Sequence, residues 1–155
     1  DWDRNPVWSP DGQSIAYLRS LSGPRTLLIM DANNGQTSLS YSNPNLSIGR
    51  AFWSPDSRYI AFIATNRATN IDDLYILDTL QSGTVRKLID NVYYVYDVSW
   101  EMWSPDGRYI AFSHMSQTAN GQPAPAPELN LVEVATGNIT KIADMAAAYP
   151  VWQPP

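Results

Sequence analysis

The chain has 155 residues, of which 44% are hydrophobic and 16% charged, a composition that supports one folded domain with a buried core. Its formal net charge is −5, so a basic surface for nucleic acid is not expected. The chain contains no cysteine, which excludes disulfides and cysteine-ligated zinc, and no stretch of about 18 apolar residues predicts membrane insertion.

One motif, a tryptophan followed by a Ser-Pro-Asp turn and an apolar run, begins in three places. It reads VWSPDGQSIAYLRS from Val7, FWSPDSRYIAFIAT from Phe52 and MWSPDGRYIAFSHM from Met102. A fourth start, VWQPP, follows from Val151. A repeated motif of this kind predicts a structure built from repeated units.

The spacing of the repeat indicates the type of unit. The motif tryptophans are 45, 50 and 49 residues apart, at Trp8, Trp53, Trp103 and Trp152. Propeller blades repeat every 40–50 residues or so and have four strands each. We therefore predict an all-β chain of three four-stranded antiparallel blades, half a propeller, plus the first strand of a fourth blade.

Each unit is predicted to contain an apolar first strand that ends at the tryptophan and three further strands. The second strands alternate large and small apolar residues, which suits a sheet buried on both faces. We expect these second strands at Ser14–Arg19, Arg58–Thr65 and Arg108–Met115. Third strands are expected at Thr26–Asp31, Asp73–Asp78 and Glu128–Val134, and fourth strands at Gln36–Tyr41, Thr84–Ile89 and Asn138–Ala143.

The Ser-Pro-Asp-Gly turns are interpreted as structural. Proline presets the backbone at the second turn position, and glycine tolerates the positive φ that such turns require. Ser57 replaces glycine in the second turn, which makes that turn a weaker match. We expect Asp11, Asp56 and Asp106 each to cap its own turn, and the motif tryptophans to act as wedges between blades.

WSPDG followed by an apolar strand, with a later strand ending in Asp before a Gly turn, resembles the TolB-type β-propeller repeat. Similar blades occur in the propeller domains of the dipeptidyl peptidase and prolyl oligopeptidase group. The resemblance implies a single propeller segment over 1–155, with blades at about 5–48, 50–99 and 101–147 and a closing strand at about 148–153. It also implies a location in the cell envelope, such as the periplasm, or outside the cell, which the residues themselves do not indicate.

Three blades present a closure problem, because closed propellers have about four to eight blades. An open row would expose apolar sheet faces. Two solutions stay open: the chain is a segment of a longer six- to eight-bladed protein, or two chains pair as a homodimer to form a six-bladed ring.

Binding residues are expected on the variable loops, since these differ in length and composition while the opposite turns are short and alike. The loops are Arg19–Arg25, Ser42–Arg50, Thr65–Asp73, Asp90–Glu101, Met115–Pro127 and Asp144–Pro150. Aromatic residues alternate with acidic ones in the fourth loop, a pattern typical of interaction hot spots and of sugar-stacking surfaces. Its candidate residues are Tyr93, Tyr94, Tyr96, Asp97, Trp100 and Glu101. The alternative is a longer strand whose aromatic residues pack between blades.

His114 and Asp72 are two further binding candidates near the same loops. His114 is the only histidine, so a transition-metal site has little support. Asp72 and its neighbour Asp73 offer a pair of carboxylates for a cation, although the start of a strand explains them equally well. We predict no metal and no cofactor.

No catalytic motif stands out, so we expect a chain that is not an enzyme. The leading hypothesis is a propeller module that binds another protein through its variable loops. Two alternatives remain: an accessory propeller domain of a prolyl-peptidase-like hydrolase, and a carbohydrate-binding propeller that uses the Tyr/Trp loop.

Overall fold

The computed structural model describes residues 2–20, 23–81, 83–92, 102–114, 128–143 and 152. Within these ranges the regular structure is β-strand without any helix, which confirms the all-β prediction. The strands form antiparallel sheets of four, four and three strands. The chain divides into two compact units, Asp1–Leu88 and Ile89–Pro155.

The first two sheets are meanders, in which neighbours in sequence are neighbours in the sheet. Sheet 1 consists of β1 (Trp2–Trp8), β2 (Ser14–Ser20), β3 (Thr26–Asp31) and β4 (Thr37–Ser42). Sheet 2 consists of β5 (Leu46–Trp53), β6 (Tyr59–Asn66), β7 (Ile71–Asp78) and β8 (Thr84–Ile89). The observed ends of the second, third and fourth strands differ from the predicted ends by at most two residues.

Sheet 3 belongs to the second unit. Its strands are β9 (Tyr109–His114), β10 (Glu128–Glu133) and β11 (Ile139–Ala143). The segment before β9 pairs with it, because Ala111 N donates to Met102 O at 2.8 Å and Trp103 bridges Ile110. The remainder of the first strand expected here, and all of the closing strand except Trp152, lie outside the described residues.

The core of the first unit lies between sheets 1 and 2. Sheet 1 contributes Ala16, Leu18, Leu27 and Ile29, and sheet 2 contributes Ile48, Ile60, Phe62, Ala64 and Leu77 among others. The Phe62 ring is fully buried and stacks on Tyr75, with ring centroids 5.4 Å apart. All residues from Ile60 to Ala64 are buried, as expected for a strand covered on both faces.

The first strands of both sheets carry a β-bulge. The register shifts by one residue between Arg4 and Val7 in β1, and between Ile48 and Ala51 in β5. Asn5 adopts φ +53° in the first bulge, a left-handed conformation that asparagine tolerates better than most residues. Bulges bend a strand and redirect side chains, and here they lie toward the variable-loop end of each sheet.

Candidate functional site

The short turns of the first unit lie together at one end, here called the turn end, which contains residues 9–13, 32–36, 54–58 and 79–81. Ala32 N donates to Gln13 O at 2.9 Å in sheet 1, and Thr79 N donates to Arg58 O at 3.0 Å in sheet 2. Each bond joins the Ser-Pro-Asp turn of a sheet to the turn between its third and fourth strands. The short turns of each sheet therefore lie together at one end.

The repeated aspartates hold the turns in which they lie. Asp11 Oδ1 accepts hydrogen bonds from Ser9 Oγ at 2.6 Å and from Gln13 N at 3.0 Å. The same pair of bonds recurs at Asp56, at 2.5 and 3.1 Å, and at Asp106, at 2.6 and 3.0 Å. Such Asx turns use the carboxylate as a backbone cap, so these bonds give the repeated aspartate a structural role.

These hydrogen bonds also lower the pKa of two of the turn aspartates. The Ser9 hydroxyl and then the Gln13 amide hold the pKa of Asp11 below its usual value, and the Ser104 hydroxyl and Arg108 amide do the same for the pKa of Asp106. Donors that favour the charged form keep a carboxyl ionised at neutral pH. These two side chains therefore act as hydrogen-bond acceptors and are poorly suited to donate a proton.

Ser57 has a role that the sequence pattern did not reveal. It occupies the glycine position of the turn with φ +60°, and its hydroxyl accepts a hydrogen bond from Asp11 N at 3.0 Å. The backbone strain of a left-handed serine is thus accompanied by a bond between the two sheets. The mismatch to the repeat was visible in the sequence, but its partner was not.

The repeat tryptophans have different surroundings. Trp53 is half-buried, and its Nε1–H donates to Val7 O on the first strand of sheet 1 at 3.1 Å. Trp8 holds the same position in sheet 1 and is 61% exposed. In the second unit Trp103 is buried, while the buried indole N–H of Trp152 has no partner among the described residues.

The exposed tryptophan belongs to a larger surface, the open face of sheet 1, formed by Trp8, Ile15, Tyr17 and Arg19. The last three are half-buried, whereas the residues at the same repeat positions in sheet 2, Ile60, Phe62 and Ala64, are fully buried in the core. Arg19 lies 5.5 Å from the Tyr17 ring and pairs with Asp3, its Nε 2.9 Å from Oδ1.

The opposite end of the first unit, here called the loop end, brings together the connection 43–45, the turn 67–70 and the start of β3. Arg67 N donates to Asn45 O at 2.9 Å, which joins the connection between the sheets to the turn between β6 and β7. Arg25 Nη1 donates to Ile48 O at 3.0 Å and so links sheet 1 to sheet 2. Variable segments therefore share this end.

Asp72 and Asp73 have separate partners on β7. Asp72 Oδ1 accepts a bond from the Thr65 hydroxyl at 2.6 Å, directly across the β6–β7 ladder. Asp73 is 4% exposed and lies 3.5 Å from Lys87 Nζ. Successive residues of a strand point to opposite faces, so the two carboxylates do not face one site. A binding role for Asp72 alone stays a prediction.

The aromatic candidates Tyr93, Tyr94, Tyr96, Asp97, Trp100 and Glu101 lie outside the described residues, so their roles stay predictions. His114 ends β9, where its backbone pairs with Glu128, and its side chain is not described. Across the described ranges no three metal-ligating residues cluster. In the same ranges no helix has the length and apolar character needed to cross a membrane.

Comparison with known proteins places the fold. No family model matches the chain, and no curated protein matches it. TolB from Acinetobacter baumannii superposes with a TM-score of 0.57 at 24% identity, over 89% of this chain and 31% of that one. A TolB-type protein from Agrobacterium tumefaciens gives 0.59 at 21%, over 94% and 52%. The β-propeller domain of the Trilobed protease from Pyrococcus furiosus gives 0.61 at 15%, over 92% and 43%.

These similarities show that the chain has a fold of the β-propeller class. Its fold is similar to the propellers of TolB and of peptidases, the resemblance that its WSPDG repeats indicated. The chain spans about a third to a half of the length of the two TolB structures.

Proposed function

We propose that this chain is a non-catalytic β-propeller module that serves as a scaffold for protein–protein interaction. It is built of three four-stranded blades and the first strand of a fourth. Its open face docks against another TolB-type sheet, and its loop end recognises a different protein. The observation that supports this most strongly is the 61% exposure of Trp8, in contrast to the packed and hydrogen-bonded Trp53.

The repeat itself supports docking. In sheet 2, the motif tryptophan and the alternating residues of the second strand pack against sheet 1. On the open face of sheet 1, the residues at the same repeat positions have no such cover. A blade buries its faces only against neighbouring blades. A second copy of this chain would supply such a neighbour, and two copies would give a ring of six blades, within the usual range for closed propellers.

The docking proposal is tested by replacing Trp8 with serine and measuring self-association by sedimentation equilibrium. Leu80 is the matched control because it is 76% exposed and lies in a turn away from the open face. We expect Trp8→Ser to weaken self-association at least about tenfold, since exposed tryptophans at interfaces are typical hot spots. Leu80→Ser should leave association unchanged. Equal effects of the two substitutions would contradict the proposal.

Recognition of a different protein is proposed for the loop end. A partner protein, isolated from extracts of the source organism with the immobilised chain, provides the material for a binding assay. Reversing the charge of Arg67 should weaken that binding, whereas reversing the charge of Arg58, which belongs to the turn end, should not. Binding that is lost only with the Arg58 variant would move recognition to the opposite end.

A second candidate function is that of an accessory propeller domain in a hydrolase. The similarity to the propeller domain of the Trilobed protease favours it. An immunoblot of the natural protein provides the test. A product larger than this chain by the size of a peptidase domain would support the hydrolase role, and a product near 17.3 kDa would exclude it.

A further inference from the structure

A small cavity opens at the loop end of sheet 1. Its volume is about 120 Å³, and it is lined by Arg4, Asn5, Leu18, Ser20 and Arg25. These residues come from the bulged part of β1, the end of β2 and the segment just before β3. We call it the arginine pocket.

The lining is rich in hydrogen-bond donors and carries positive charge. Two of the five lining residues are arginines, two are the polar residues Asn5 and Ser20, one is apolar, and none is acidic. The nearby carboxylate of Asp3 is held by Arg19 through two bonds, of 2.9 and 3.1 Å. The five lining residues thus contribute two positive charges and no negative charge, in a chain whose net charge is −5.

Arg25 is held in place by the neighbouring sheet. Its Nη1 donates to Ile48 O at 3.0 Å, and its side chain is half-buried. A guanidinium carries five N–H donors in a rigid fork, so this bond fixes the group while using one of them. Guanidinium forks match the geometry of carboxylate and phosphate oxygens. The arrangement therefore orients a group suited to anions.

The bulge in β1 shapes the other wall. The register slips directly after Arg4, and Asn5 adopts φ +53° there. A regular strand would alternate these side chains between the two faces of the sheet. The bulge instead lets two consecutive residues line the same pocket.

The size of the pocket limits what it can hold. Pockets for drug-sized ligands measure about 300–1,000 Å³, and a single water needs at least about 10–15 Å³. A cavity of about 120 Å³ has room for an anionic group of a few heavy atoms. It is too small for an oligosaccharide or a nucleotide.

We propose that the arginine pocket is a binding site for a small oxyanion, either a carboxylate group or inorganic phosphate, held between Arg4 and Arg25 with the Ser20 hydroxyl and the Asn5 amide as further donors. The two sources share one chemistry, that of an anionic group with two or more oxygens. Contacts from two guanidinium groups predict an affinity in about the millimolar range.

The proposal is tested by NMR with the full chain labelled with ¹⁵N. The Nε–H signals of the arginines are followed while sodium phosphate, or separately sodium acetate, is added at constant ionic strength. The Arg4 and Arg25 signals should shift and saturate with at least one of the two anions. The anion that binds more tightly shows whether the site prefers phosphate or a carboxylate group. The Arg67 signal should not saturate, because this exposed arginine lies outside the pocket.

Charge-neutralising variants separate a built site from general attraction. We expect Arg4→Gln and Arg25→Gln each to weaken anion binding at least about tenfold, which is the loss typical of one charged hydrogen bond. Arg67→Gln removes the same charge and should bind as the unmodified chain does. Because Arg25→Gln also removes the bond to Ile48, the urea midpoint of each variant is measured beside its anion affinity, and only a variant that stays folded under the assay conditions counts. Failure of both anions to saturate either signal, or equal weakening in all three variants, would overturn the proposal.

Discussion

The contrast between Trp53 and Trp8 yields the sharpest prediction about stability. Both tryptophans occupy the same position of the repeat, yet Trp53 is packed and donates to Val7 O at 3.1 Å while Trp8 is 61% exposed. Replacing each with alanine removes the same atoms from the same position of the repeat. Any difference in the free energy of unfolding therefore reports the packing of sheet 2 on sheet 1.

The expected magnitude follows from burial and the hydrogen bond. Truncation of a buried tryptophan to alanine costs about 3–5 kcal/mol, and partial exposure of Trp53 places it near the lower end, about 3 kcal/mol. Trp53→Phe keeps an aromatic ring and loses the N–H donor, so about 1 kcal/mol is expected. Trp8→Ala should cost less than about 1 kcal/mol in the monomer, as is usual for exposed positions.

Urea unfolding followed by far-UV circular dichroism measures these differences without relying on tryptophan fluorescence. The slope of the free energy against urea should stay constant while the midpoint moves. The measurement is made at two protein concentrations, because self-association through the open face would make the loss in Trp8→Ala depend on concentration. A Trp53→Ala midpoint equal to that of the unmodified chain would refute the wedge role of this residue.

Two further predictions concern the glycine turns and the dependence of stability on pH. Gly83→Ala should destabilise the chain more than Gly137→Ala, because both positions have positive φ but at Gly83 the new Cβ would lie 2.9 Å from Leu39 Cδ1 and Leu39 would have to shift. Thermal melts check this, and equal losses would contradict it. The hydrogen bond from Arg58 holds the pKa of Asp78 below its ordinary value of 3.8, so this stabilisation is complete above about pH 4 and is lost as pH falls through the lowered pKa. Urea midpoints between pH 5 and pH 2 should fall less steeply in Arg58→Gln than in the unmodified chain, and parallel curves would refute this.

The repeat made most of the strands predictable. Alternation of apolar residues and the turn residues between them are local signals, and the third strand of sheet 1 and the fourth strand of sheet 2 have the predicted bounds. β7 begins two residues before its predicted start, at Ile71, because Asp72 pairs across the ladder with Thr65 in spite of its low strand propensity.

The candidate sites were less predictable because they depend on contacts between segments that are distant in sequence. Arg25 of the segment before β3 reaches Ile48 of sheet 2, and Asp11 of one Ser-Pro-Asp turn bonds to Ser57 of the next. A local pattern cannot distinguish Trp8 from Trp53, since their difference lies in whether a neighbouring sheet covers them. The signal that was available for the arginine pocket is the presence of arginines near the loop end of a chain with few basic residues.

The most direct test of the proposed docking of the open face is the solution mass of the unmodified chain, measured by light scattering over a range of concentrations. Docking of the open face against a second copy predicts a mass that approaches twice 17.3 kDa as concentration rises, with the Trp8 indole becoming protected from a soluble fluorescence quencher. A mass that stays at 17.3 kDa at every concentration, with Trp8 still accessible to the quencher, would contradict it.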